Sequence, residues 1–241
     1  MLKTRLSEHL QDLLLDNEVL EDFLRQLSDL AADFAAAETG RPVVCSVRVA
    51  RKRRPLALAA GDPDAGALDR LQDDVGEGPG LEAQQTGMPV LVPDTTMDPR
   101  WRRYQRAAAQ RGSRSIFAVS LIDDPDAAAT LTFLSTSPEA FDDGAVGACG
   151  AFAVRAAKVT KLAVRFEAAR GVNRDLLMAM RSRTDINLAT GILMAQSRCS
   201  QSEAFSMLSK VSNTRNVKLR IVAGEILRRF DGGPEATAFS A

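Results

Sequence analysis

Apolar residues recur at alternating spacings of four and three along the first stretch of the chain. The series runs Leu6, Leu10, Leu13, Asn17, Leu20, Leu24, Leu27, Ala31 and Phe34, with Asn17 its polar member. That period predicts helix over 4–36. The Leu13-Leu14-Leu15 run widens the stripe, and Asp16-Asn17 supplies a stop and a new cap, so two helices are predicted rather than one. The pattern leaves open whether this stripe packs on the chain's own sheet or on a second copy. Gly40-Arg41-Pro42 ends the helical period, and Val43–Val49 then alternates with period two, the signature of a strand.

Further strands are predicted at Pro55–Ala60, Pro89–Pro93, Ser115–Ile122 and Ala128–Ser135, the last two separated by a turn at 123–126. Helical excursions fall at Leu68–Val75 and from Asp98-Pro-Arg-Trp101 to about Gly112. Gly76–Gly80 reads as a tight loop. It lacks the Gly-Lys-Ser/Thr ending of a phosphate loop and follows no strand. Helices followed by about five short strands make an α+β fold with a central, mostly antiparallel sheet flanked by helices.

A long helix is predicted from Pro138. Phe152, Ala156, Val159, Ala163 and Phe166 restore the four-three alternation, and the register continues through Arg170, Asn173, Leu177 and Met180. Gly171 is a candidate hinge, since glycine weakens a helix by roughly 1 kcal/mol. A helix that packs only on its own sheet and a helix that pairs with its twin in a dimer both fit this pattern. Beyond it, 176–195 reads as a helix with Ile186, Ala189, Ile192 and Leu193 inward. Ser200-Gln-Ser-Glu203 is a capping box that opens a second helix, with Ala204, Phe205, Leu208 and Val211 inward. Asn213 or Thr214 is expected to cap a third, whose buried stripe is Leu219, Val222, Ala223, Ile226 and Phe230, and Asp231-Gly-Gly-Pro ends it. Three short helices with brief connections make a small bundle. The boundaries expected are 1–158 for the α+β domain with its N-terminal helices, 145–175 for a coiled-coil-like linker helix, 175–230 for the bundle and 231–241 for a flexible tail.

Charge sharpens this division. Of 241 residues, Lys and Arg number 31 and Asp and Glu 31, yet 151–230 holds 15 bases against 5 acids while 1–150 holds 16 against 24. A basic bundle on an acidic body points to a polyanionic partner for the bundle. The basic run Arg51–Arg54 admits two readings, a nucleic-acid patch or the solvated turn of a hairpin. The single histidine, His9, sits in a Leu-rich helix and reads as a solvated position. The cysteines Cys45, Cys149 and Cys199 are too scattered for a disulfide framework or a cysteine zinc site. No nucleophile–base pair, metal cluster or cofactor motif can be assembled, so no enzyme, metal or cofactor is expected. Val119–Asp124 looks like the acidic strand end of a phosphoryl-accepting receiver, but a turn and another strand follow where a receiver needs a helix. No apolar run is long enough to span a membrane and no signal-peptide core opens the chain, so a cytoplasmic protein is expected.

Several strings carry a resemblance. Leu68-Asp-Arg-Leu-Gln-Asp-Asp-Val-Gly-Glu-Gly-Pro79, Thr86-Gly-Met-Pro-Val-Leu-Val-Pro-Asp94, Asp98-Pro-Arg-Trp101 and the Ser115–Leu121 strand resemble the GAF sensor domains of actinobacterial regulators over about 40–158. Where those domains often carry Cys after Gly-Glu-Gly-Pro, this chain has Gly80; where Pro usually precedes Leu121, it has Ser120. Thiol-based sensing on that cysteine is therefore absent. Arg183-Thr-Asp-Ile-Asn-Leu-Ala-Thr-Gly-Ile-Leu-Met194, Cys199-Ser-Gln-Ser-Glu-Ala-Phe205, Ser212-Asn-Thr-Arg-Asn-Val-Lys-Leu219 and Val222-Ala223 resemble an ANTAR domain over about 175–230. Departures are Thr190 for a common Lys, Arg198 for a usual Gly and Ser209 for a common base.

The resemblance implies a transcription antiterminator. ANTAR proteins act as dimers that grip two neighbouring RNA stem-loops, and holding that pair keeps an overlapping terminator hairpin from forming. The expected RNA-binding residues are Arg183, Arg198, Lys210, Arg215, Asn216, Lys218 and Arg220. The bases hold phosphates, while Asn216 with Arg183 or Arg215 reaches loop bases. A local backbone role for Asn216 is the competing reading. Phe205 and Phe230 are expected on buried faces, so no stacking on bases is expected of them. The partners implied are tandem stem-loop RNA, a second copy of the chain and a small molecule of unidentified chemistry in the GAF-like domain. Two rival readings are a ligand sensor whose helical tail contacts a protein, and a DNA-binding regulator with Lys218 and Arg220 on its recognition helix.

Overall fold

The computed structural model describes residues 2–52 and 54–231; Arg53 of the basic run and positions 232–241 of the expected tail lie outside the described residues. The chain divides into two compact units, 1–168 and 169–241.

The first unit opens with α1 (Leu2–Asp16) and α2 (Leu20–Thr39). The break falls where predicted: Asn17 donates its side-chain amide to the Leu13 carbonyl at 2.8 Å and accepts from Gln26 at 2.9 Å. The sheet comprises β1 (Val43–Arg51), β2 (Ala57–Ala60), β3 (Val90–Val92), β4 (Ser115–Asp124) and β5 (Ala127–Ser135). Its order is β2-β1-β5-β4-β3 and every neighbouring pair is antiparallel. Between the strands lie α3 (Pro63–Val75), α4 (Pro79–Thr86) and α5 (Arg102–Gln110).

Period-two alternation sends the strands' side chains to two unlike interiors. Val43, Cys45, Val47 and Val49 of β1, Ala129, Leu131 and Phe133 of β5, and Phe117 and Val119 of β4 join Leu20, Phe23, Leu24 and Leu27 of α2 in one large apolar core. The start of α6 (Asp143–Ser197) completes it: Phe152, Ala156, Val159 and Ala163 are buried there, with the Phe34 and Phe152 rings 5.1 Å apart. Burial of a ring such as Phe152 contributes about 1.5–3 kcal/mol. Of the two readings of this stripe, packing on the chain's own sheet accounts for 152–163. Phe166, the next position of the register, is exposed. The opposite sheet face packs on α3 and α5 through Leu68, Tyr104, Ala108, Ile116 and Leu134.

Three expectations are corrected. The long helix starts at Asp143 rather than Pro138, because Glu139 adopts a left-handed φ of 52° and ties its N–H to Pro93, while Asp142 accepts from the Ala145 N–H at 2.8 Å as an N-cap. Gly171 does not break it, and the segment 176–195 is a continuation of the same helix. The local cost of one glycine is outweighed by the strong helix formers on both sides. The loop expected at 76–80 ends early, since α4 begins at Pro79. Its orphan N–H groups at Gly80 and Leu81 donate to Gln72 Oε1 at 2.7 and 3.2 Å, a tertiary cap with no local signature.

In the second unit, the end of α6 joins α7 (Gln201–Arg215) and α8 (Leu219–Asp231). The Ser200–Glu203 capping box is formed in both directions. A fourth correction concerns the start of the last helix: Asn213 and Thr214 cap nothing, because α7 runs through them to Arg215.

Candidate nucleic-acid interface and a buried polar layer

The core of the second unit is built mainly from small residues. Ala189, Ala204, Leu208, Val222 and Ala223 are buried, with Ile186, Leu193 and Ile226 partly so. Three of these five buried positions are alanines, while larger side chains of the same apolar stripes lie outside. Phe205, Val211 and Phe230 are exposed, at 46%, 41% and 62%, against the expectation of buried faces.

The predicted RNA-binding residues all lie on the surface of this unit. Arg183 and Arg220 border one groove with Met178, Ile186 and Phe205, and neither has an ion-pair partner among the described residues. Lys218 and Lys210 are exposed, Lys218 just ahead of α8 and Lys210 on α7. Arg215 is engaged within the chain: its guanidinium meets Glu225 through two bonds of 2.5 and 2.9 Å. This fork holds Glu225 below the usual carboxylate range. Asn216 closes α7 in the left-handed region at φ 49°, with its backbone N–H donating to Ser212 and Asn213. Asparagine tolerates that conformation better than other non-glycine residues. Arg198 also sits at φ 49°, in the turn before α7. The glycine usual there in ANTAR sequences is thus explained by backbone geometry.

Sequence reasoning missed a second cluster, on the sheet face that packs against α3 and α5. The register pairs Ser46 with Thr132 and Arg48 with Thr130. These four polar side chains are buried side by side, and Asp69, Gln72, Tyr104 and Gln105 are buried beside that face. Arg48 forms an ion pair with Asp73 through Nη2. Its Nε and Nη1, the Tyr104 hydroxyl, the Gln105 amide and the Thr130 and Thr132 hydroxyls have no hydrogen-bond partner among the described residues. Native interiors hold few such groups, because each costs about 1–3 kcal/mol. Burial pushes the Asp69 carboxyl up to about 6, against the pull of the Ser46 hydroxyl and the Arg48 guanidinium. Burial likewise raises the Tyr104 phenol. Gly80 belongs to this layer: a Cβ there would lie 3.1 Å from the Gln72 amide and 3.3 Å from Thr132 Oγ1. Gln72 fills the space that the common cysteine would claim. The cue to the layer in the sequence was polar residues at alternate positions of two apolar strands, Ser46 and Arg48 in β1 and Thr130 and Thr132 in β5.

The basic run proves to be partly an internal clamp. Arg51 Nη1 lies 2.8 Å from Glu167 and Arg54 Nη1 4.0 Å from it. Among the described residues no three His, Cys, Asp or Glu gather as a metal site, and no helix is long and apolar enough to cross a membrane. His9 is exposed.

Comparison with known proteins adds two domain matches. Residues 18–158 match the family model described as GAF domain, and residues 174–227 the one described as ANTAR domain. No curated protein matches the chain. Among solved structures, the chain resembles the N-acylhomoserine lactone dependent LuxR family transcription factor CepR2 from Burkholderia cenocepacia. The identity is 14%, over 70% of this chain and 99% of that one, with a TM-score of 0.52, a likeness of fold alone. The GAF domain of an Acinetobacter phosphoenolpyruvate-protein phosphotransferase aligns at 16% identity over 70% of this chain and 98% of its own, with a TM-score of 0.48.

Proposed function

Since the chain belongs to the GAF-domain family over 18–158 and carries an ANTAR domain over 174–227, we propose that it is an RNA-binding transcription antiterminator working in the cytoplasm as a dimer. ANTAR is an RNA-binding antitermination module and GAF a ligand-sensing domain. In this reading, two copies hold tandem stem-loops of a nascent transcript, and the terminator hairpin that overlaps them cannot form. The observation that carries it is the set of exposed, uncompensated cations on the ANTAR unit: Arg183, Lys218 and Arg220 have no carboxylate partner among the described residues. Cations left unpaired by the fold are the ones free to displace counterions from a phosphate backbone. The exposed apolar positions Leu177, Met180 and Leu188 of α6 supply a seam for the second copy. The buried polar layer supports a small polar molecule as the input of the GAF domain.

A gel-shift comparison tests the reading. The probes are a tandem stem-loop RNA with two hairpin loops, the matching DNA and a single hairpin, each at two salt concentrations. Tight, salt-sensitive binding to the tandem RNA alone is expected. Lys218→Ala with Arg220→Ala should weaken it and lower the salt slope by about 1 for each phosphate no longer neutralised. Equal binding to RNA and DNA would refute the reading and favour a sensor whose helical tail meets a protein.

A further inference from the structure

Phe205 stands on α7 with 46% of its surface exposed, in a groove of about 590 Å³ that it shares with Met178, Ser182, Arg183, Ile186 and Arg220. Building on the RNA-binding reading above, we propose that Phe205 is a stacking platform for one unpaired loop base of the RNA, with Arg183 and Arg220 on the flanking phosphates.

Three observations select this occupant. The first is the composition of the groove: an aromatic ring and apolar floor bordered by two guanidinium groups is the combination that single-stranded nucleic acid requires, ring for base and cation for phosphate. The second is pairing. Arg183 and Arg220 have no carboxylate partner among the described residues, whereas Arg215, outside the groove, is forked onto Glu225. Asn187 at the same groove is exposed and its amide has no hydrogen-bond partner among the described residues, so donor and acceptor are available to a base edge. One carboxylate, Asp175, also borders the groove and can accept from an exocyclic amine, leaving the site net cationic. The third is helix geometry. At 100° per residue, Ser182, Ile186 and Ala179 share one face of α6, while Leu177, Met180 and Leu188 fall on the opposite one. A second copy seated on Leu177 and Leu188 leaves Phe205 and the Ser182–Ile186 side of the groove open to RNA, while Asn187, about 20° from Met180 around the helix, borders that seam.

The test uses the full chain and the tandem stem-loop RNA, with 2-aminopurine substituted at one loop position at a time. Affinity and fluorescence are measured for wild type, Phe205→Ala, Phe205→Tyr and Phe230→Ala, and the assembly state is followed by sedimentation. At one loop position the probe should be quenched by wild type and by Phe205→Tyr. Phe205→Ala should lose that quenching and bind about tenfold more weakly, with an unchanged salt slope, since stacking releases no counterions. Phe230→Ala, outside the groove, should behave as wild type. A Phe205→Ala protein that binds and quenches like wild type overturns the proposal while leaving RNA binding intact. Loss of affinity together with loss of the dimer also overturns it, assigning the ring to contact between copies. Failure of wild type to bind any RNA refutes the RNA-binding reading itself, and the proposal with it.

Discussion

Replacing Asp69 by asparagine removes a titrating group from the buried layer while keeping an oxygen to accept the 2.8 Å bond from Gln72 Nε2. In the folded chain this carboxyl titrates at about 6, above its ordinary 3.8, chiefly because burial disfavours its charged form. Below the unfolded value it is protonated in both states. Between about 4 and 6 the unfolded chain releases the proton while the folded chain retains it, so folding becomes less favourable as pH rises through this window. Above it, the folded state carries a buried carboxylate. A shift of about two units corresponds to roughly 3 kcal/mol of stability lost across the window. Asparagine does not titrate, so the stability of Asp69→Asn relative to wild type should rise by about 3 kcal/mol from pH 4 to pH 7, or about 6–12 °C in melting temperature. Trp101, the chain's single tryptophan, packs beside Val90 and Ala83 in the same unit and reports its unfolding by fluorescence. Melts of both proteins across this range measure the difference directly. A gap between them that stays constant with pH would refute the assignment of a buried, proton-retaining carboxyl.

Two further changes probe other parts of the molecule. Arg198→Gly relieves a left-handed φ of 49° that costs an L-residue about 1–2 kcal/mol, partly offset by the greater unfolded-state freedom of glycine. The variant should gain about 0.5–1 kcal/mol in denaturant unfolding followed by circular dichroism while losing RNA affinity at low salt. Glu167→Gln uncouples Arg51, 2.8 Å away and largely buried, and should cost about 1–2 kcal/mol of unfolding free energy, seen as a lower urea midpoint read from Trp101; an unchanged midpoint would show that the clamp contributes nothing.

Much of the architecture was legible because it rests on periodicity. The five strands, the two N-terminal helices divided at Asn17 and the Ser200–Glu203 box each have a local cause written in adjacent residues. What escaped was determined by distant partners. α4 depends on a side chain eight residues upstream, Gln72, for its N-terminal cap. The exposure of Phe205 and Phe230 depends on which positions of each apolar stripe the neighbouring helices cover, which no single helix encodes. The predicted RNA residues are all exposed on the second unit, yet the sequence could not tell that Arg215 is spent on Glu225 while Arg183 is free of such a partner. The polar layer was invisible for the same reason: Ser46 and Arg48 acquire meaning only when Thr132 and Thr130 arrive opposite them from β5.

The two faces of the sheet impose opposite rules of tolerance on alternating positions of one strand. At Val43, Cys45, Val47 and Val49, which face the large apolar core, a substitution is judged by volume and shape, and a polar atom is penalised wherever it points. At Ser46 and Arg48 the test is hydrogen-bonding capacity: a change at Arg48 that keeps a donor for Asp73 is accommodated, and one that strands Asp73 is not. Sequences diverging from this one should therefore drift along β1 under two selective regimes that switch every residue. The apolar positions exchange slowly among near-isosteres. The polar positions change in concert with the hydrogen-bonding groups buried beside them, so the polar layer can be rewritten without rebuilding the core.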